Sequence, residues 1–213
     1  MNKVKVQIVA AVVVAVFAVG IIVSGGKVNV QWLRFYSLAV FIAIILLTAW
    51  DRFLWHVGPV QRINAVPRDI RGTWRGTLTS NWTAPGSHEP VAPKIAYLVV
   101  RQTSTTVAII LLTDESRSAS SLARVFVSDN LATLDYMYLN RPEARVEPRS
   151  RMHHGSTSLD ISGRPATRLK GRYWTDRQTQ GELDLQHRSR RLADDYDSAV
   201  GLFGAHSATT GPE

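Results

Sequence analysis

The sequence contains no cysteine, which removes disulfides, thiolate zinc sites and cysteine nucleophiles at once. It also lacks a metal-ligand pattern: His153-His154 lies in an arginine-rich stretch with no third histidine or spaced carboxylate, so no metal is expected. No nucleophile is placed with a base, no carboxylates pair in a strand-end pattern, and no glycine-rich phosphate loop occurs. The chain therefore reads as a binding protein rather than an enzyme, without a cofactor. Acidic residues are in deficit, 17 against 25 Lys and Arg, for a formal net charge of +8. That balance excludes a preference for cations and suits anionic lipid, nucleic acid or a phosphorylated ligand.

The last absence is charge within two apolar runs, Val6 to Val23 and Phe35 to Trp50. Without a mid-depth ionisable group, a proton relay, an ion-selective pore and a voltage sensor are all disfavoured. As a helix rising about 1.5 Å per residue, the first run reaches roughly 27 Å, close to the hydrocarbon thickness of about 30 Å. The second lengthens through Trp32, Leu33, Phe53, Leu54 and Trp55 if Arg34 and Arg52 snorkel, and its terminal aromatics suit interfacial belts. A polar turn, Ser24-Gly25-Gly26-Lys27, joins the runs into a transmembrane hairpin. A cleaved signal peptide fits less well: the first run is long, no Ala-x-Ala site follows it, and a second span comes at once. Flanking charge favours a multi-pass protein with both termini cytoplasmic: Lys3 and Lys5, and Arg52, Arg62, Arg68 and Arg71, against Lys27 and Arg34. Ala11 and Ala15, and Ala39 and Ala43, repeat a small-residue spacing that lets helix backbones approach within a bilayer.

Pro59 and Pro67 mark a linker, and from Gly72 the pattern has period two. Eight strands are expected, at Gly72–Trp82, Lys94–Gln102, Thr105–Thr113, Leu122–Ser128, Thr133–Asn140, Ser156–Ser162, Arg168–Thr175 and Gly181–His187. A loop with Pro85, Gly86 and Pro90 follows the first, Asp129-Asn130 joins the fourth and fifth, and Arg141 to Met152 is a long basic loop. Short strands with brief connections predict an all-β, roughly eight-stranded up-and-down, lipocalin-like barrel, either filled or holding one small ligand. The expected organisation is a transmembrane helical hairpin (1–56), a linker (57–70), a cytoplasmic β-barrel (71–188) and a flexible tail (189–213).

Two stretches, Arg71-Gly72-Thr73-Trp74-Arg75-Gly76-Thr77-Leu78 and Lys170 to Leu183 (KGRYWTDRQTQGEL), carry a family likeness, supported by Tyr136-Met137-Tyr138-Leu139-Asn140-Arg141-Pro142. With the membrane hairpin, this layout resembles the two-transmembrane, β-strand-rich effectors of CBASS anti-phage systems, which are associated with SMODS-type nucleotide cyclases. Gly-x-Trp alone also opens lipocalins, so the combination carries the likeness. The resemblance implies a receptor whose barrel binds a cyclic di- or oligonucleotide made by a CD-NTase-type cyclase, with no DNA or RNA polymer as partner. It further implies a homo-oligomer whose hairpins disrupt the lipid bilayer of the inner membrane, causing abortive infection. The rival readings are a membrane-tethered barrel for lipid or another small molecule, and an anchor that docks a protein partner.

A cyclic dinucleotide needs donors for its phosphates and flat groups for its bases. Alternation places Trp74, Gly76, Leu78, Ser80 and Trp82 on the better interior face of the first strand, Trp74 as a core plug or a ligand contact. At one parity of the seventh strand and its turn, Tyr173 is set to stack on a base, and Thr175, Arg177 and Thr179 to meet phosphate or ribose. On the second strand Tyr97 shares a face with Ile95, Val99 and Arg101, and is either a cavity residue or core.

Overall fold

The computed structural model describes residues 3–23, 25, 31–63, 66–82, 91–128 and 131–204. The Ser24–Lys27 turn apart from Gly25, the Pro85–Pro90 loop, the Asp129-Asn130 connection and the tail beyond 204 lie outside the described residues. The chain divides into two compact units, Met1–Trp55 and His56–Glu213.

The first unit contains α1 (Lys3–Val23), α2 (Gln31–Ala49) and a π-helical turn (Trp50–Leu54). The stretch Ser37–Leu54 is long and apolar enough to cross a membrane, with a mean hydropathy of 1.9, and Ala10–Val23 is a shorter apolar helix. The two helices pack together. The small residues divide unequally: Ala39 and Ala43 are buried, whereas Ala11 and Ala15 are exposed and Gly20 is the buried small residue of α1.

The second unit opens with a short helix, α3 (Gly58–Gln61), and forms one closed antiparallel barrel of eight strands in sequential order. These are β1 (Gly72–Ser80), β2 (Lys94–Gln102), β3 (Val107–Leu112), β4 (Ser116–Ser128), β5 (Leu131–Pro142), β6 (His153–Ser162), β7 (Arg168–Thr175) and β8 (Gln180–Ser189). Pairing of β1 with β8 closes the sheet, so no edge is left for another chain to extend. Burial of alternate residues drives closure: Trp74, Ala96, Leu98, Val100, Ile109, Leu111, Leu134, Leu159, Leu169, Leu183 and Leu185 form one inner core.

Three expectations change. First, β4 begins at Ser116 rather than Leu122, because small serines with no apolar alternation pair with Tyr138–Pro142 and a bulge at Ser121 resets the register. Second, β6 begins at His153, which lies opposite Asn140. Third, the chain after 188, expected to hold a short helix at most and otherwise to be flexible, packs on the barrel as far as Gly204. A helix, α4 (Tyr196–Gly204), covers an outer patch of β2 and β3, with Ala193, Ala199, Leu202 and Phe203 against Tyr97, Val99 and Leu112. Asp195 starts it by accepting from Ser198 N at 2.8 Å, and the Ser198 hydroxyl donates to Asp195 O at 3.0 Å. Thr73 ties this segment down: its hydroxyl donates to Arg191 O at 2.8 Å and accepts from Ala193 N at 3.0 Å.

Candidate functional site

The barrel has two unlike ends. Where β1 begins, residues 68–71 close the opening, so this part of the expected linker belongs to the barrel. Ile70 is fully buried, its amide donates to Gln102 Oε1 at 3.0 Å, and Gln102 Nε2 donates to Arg68 O at 2.9 Å. Trp74 lies beneath, also fully buried, with its indole N–H donating to Ile70 O at 2.8 Å. The Arg188 guanidinium stands over the Trp74 ring at 5.2 Å from its centroid and donates to Arg71 O, Asp69 O and Asp69 Oδ1. Burial alone would raise the Asp69 carboxyl, but the Arg71 hydrogen bond and the Arg188 charge overcome it and hold it below the usual carboxylate range. Full burial and the indole hydrogen bond to Ile70 O support the reading of Trp74 as a core plug.

Toward the opposite end the interior turns polar. At mid-depth Tyr136 and Thr157 face each other across β5 and β6, both buried. Burial pushes the Tyr136 phenol well above its ordinary range, against a hydrogen bond with Thr157.

Beyond it lie Tyr138 and Tyr173. Both occupy niches that only glycine leaves open: a Cβ at Gly155 would strike the Tyr138 ring, and one at Gly181 would strike the Tyr173 ring. Burial raises both phenols above their ordinary range, and for Tyr173 a hydrogen bond with Ser80 opposes it. Next come Asn140, whose side-chain amide donates to Ser116 Oγ and Ser118 Oγ at 2.9 Å each, and the hydroxyl pair Thr175 and Thr179 at 2.7 Å.

Charged residues of both signs lie in the described loops at this end. Lys94, on the inward parity of β2, meets Glu115 of the β3–β4 turn, and Arg149 of the 143–152 loop meets the same carboxylate. The Lys94 hydrogen bond is the largest cause holding the Glu115 carboxyl below its ordinary range, against burial and with help from the Lys94, Arg149 and Arg145 charges. Arg177 tips the β7–β8 turn and donates to Ser150 Oγ at 3.1 Å and Arg151 O at 3.2 Å. An end that gathers aromatic faces, hydroxyls, an amide and rim cations has the chemistry to hold bases, ribose and phosphate together.

Of the residues singled out from the sequence, Ser80, Tyr173, Thr175 and Thr179 come together at this end, with Arg177 on its rim. Trp82, 45% exposed, lies just past the end of β1, its amide donating to Ser80 Oγ at 3.2 Å. Trp74 sits at the sealed end. Tyr97 is corrected as a cavity residue: it points outward and packs edge-on against Tyr196, with ring centroids 5.6 Å apart, and beside Phe203. Sequence reasoning missed Lys94, Ser118 and Asn140. For Asn140 the signal was present, a lone amide in phase with Leu134, Tyr136 and Tyr138.

Residues 65–187 match the family described as "Cap15, cyclic dinucleotide receptor domain". The chain is also 29% identical over 170 residues to CD-NTase-associated protein 15 of Staphylococcus schleiferi, a match covering 80% of this chain and 88% of that protein.

Proposed function

The chain belongs to the Cap15 cyclic dinucleotide receptor family, effectors of CBASS anti-phage defence that sense cyclic nucleotides, and from that premise we propose where and how it senses its ligand. A cyclic dinucleotide, or a related cyclic oligonucleotide made by a partner CD-NTase, enters the polar end of the barrel. Tyr138 and Tyr173 stack on its bases, Asn140, Ser80, Thr175 and Thr179 meet ribose and phosphate, and the rim cations draw it in. One observation carries the reading: the interior is graded, apolar around Trp74 and increasingly polar toward the other end, where Asn140, Ser118, Thr175 and Thr179 gather. A carrier for wholly apolar lipid would have little use for the Asn140 and Lys94 positions.

The output is assembly in the bacterial inner membrane, with the barrel cytoplasmic and α1 and α2 as a two-span hairpin that breaches the bilayer. Occupancy drives assembly only if the ligand favours the assembled state. An outward row that crosses four strands in register, Leu122, Met137, Ser156 and Trp174, supports a barrel-to-barrel contact, its apolar members being 66%, 53% and 50% exposed. The adjoining row, Arg124, Asp135, Ser158, Arg172 and Glu182, alternates in charge and is self-complementary about a two-fold axis.

Calorimetric titration of the full chain in detergent with 3′,5′-linked cyclic dinucleotides of purine and pyrimidine bases tests the sensing step. Saturable binding of at least one is expected; no binding across the panel overturns it. Ligand-dependent dye release from vesicles carrying the protein tests the output, with Trp174→Arg expected to bind ligand and release little dye.

A further inference from the structure

An internal anion stands among the cations of the polar end. Glu115 lies in the β3–β4 turn, and each of its carboxylate oxygens meets one cation, Oε2 the Lys94 ammonium and Oε1 the Arg149 guanidinium. The turn is built without that carboxylate. Thr113 N donates to Ser116 O at 3.0 Å, the Thr113 hydroxyl accepts from Glu115 N at 3.3 Å and Ser116 N at 3.0 Å, and Glu143 N donates to Glu115 O at 2.8 Å. The side chain is therefore free of a role in holding the backbone. Lys94 has inward parity, and β4 and β5 bring Ser116, Ser118 and Asn140 to the same end.

A phosphodiester bears one negative charge shared by two non-bridging oxygens. A carboxylate bears the same charge on two oxygens, and here those two oxygens are divided between two cations as a bridging phosphodiester's would be. We infer that Lys94 and Arg149 form a phosphodiester subsite and that Glu115 is its resident competitor, displaced when ligand enters. This rests on the nucleotide reading above and adds its regulation. Displacement costs both ion pairs, so Glu115 sets a threshold that keeps the empty receptor silent at low messenger concentration.

Glu115→Gln keeps the shape and removes the charge; Glu115→Ala removes the charge by a second route. Both are titrated by calorimetry as full chains in detergent, beside wild type and Lys94→Met, with the same cyclic dinucleotide panel. The two pairs are partly exposed, so each neutral variant is expected to bind roughly two- to fivefold tighter than wild type. Lys94→Met is expected to bind more weakly, and in the double variant with Glu115→Gln the gain over Lys94→Met should shrink. Wild-type binding with both Glu115 variants equal or weaker overturns the competitor role and leaves the nucleotide reading standing. Absence of binding by wild type and by both neutral variants overturns the two together.

Discussion

At the Trp74 end of the barrel, Asp69, Gln102 and Arg188 direct their hydrogen bonds to the chain itself, and the segment that enters β1 becomes the stopper. At the Asn140 end the same strands carry tyrosines in glycine niches, clustered hydroxyls and two cations bridged by one carboxylate. Polar groups are present at both ends; what differs is their partners, mainly the backbone of the entering segment at the first and neighbouring side chains of strands and loops at the second.

The contrast breaks most visibly at Trp74. Trp74→Ala opens a cavity and orphans the Ile70 carbonyl, and a loss of about 3–5 kcal/mol is expected in chemical denaturation. Loss of ligand affinity at unchanged stability would instead place Trp74 in the site. Tyr173→Ala should add a loss of ligand affinity to its cost in stability, since its ring is also buried. Base–aromatic stacking is worth about 1–3 kcal/mol, so calorimetry should show affinity falling roughly five- to 150-fold while the fold survives.

Acid distinguishes the ends next. The Asp69 carboxyl lies below its unfolded value of about 3.9, so its contribution is whole above that value and is lost as pH falls through the lower folded one. Thermal melts between pH 5 and pH 2.5 should therefore lose stability, and Asp69→Asn, less stable at neutral pH, should show a shallower decline. Equal slopes would remove Asp69 from the seal. The smallest effect is expected at Arg177, on the exposed rim: Arg177→Ala should change stability by less than about 1 kcal/mol and weaken binding mainly at low salt.

The difference between the ends was only half legible in the sequence. The parity of β1 could be read because Trp74, Gly76 and Leu78 alternate with Arg75 and Thr77, and β7 followed from Leu169, Gly171 and Tyr173 against Lys170 and Arg172. On β2 the alternation is erased from Ala96 to Val100, since α4 buries the outward Tyr97 and Val99 as fully as the barrel buries Leu98. That erasure put Tyr97 inside and left Lys94 out. The serines of β4 went unread for a related reason: an inward residue that is small and polar gives no hydrophobic period, yet those residues build the polar end.

Hydrogen exchange of the full chain in detergent, with and without a saturating cyclic dinucleotide, tests the two-ended account most directly. Protection is expected at 113–118, 140–152 and 173–181, with 68–74, 100–102 and 185–189 unchanged. Protection confined to the Trp74 end, or to the outer β2–β3 face under α4, would contradict it.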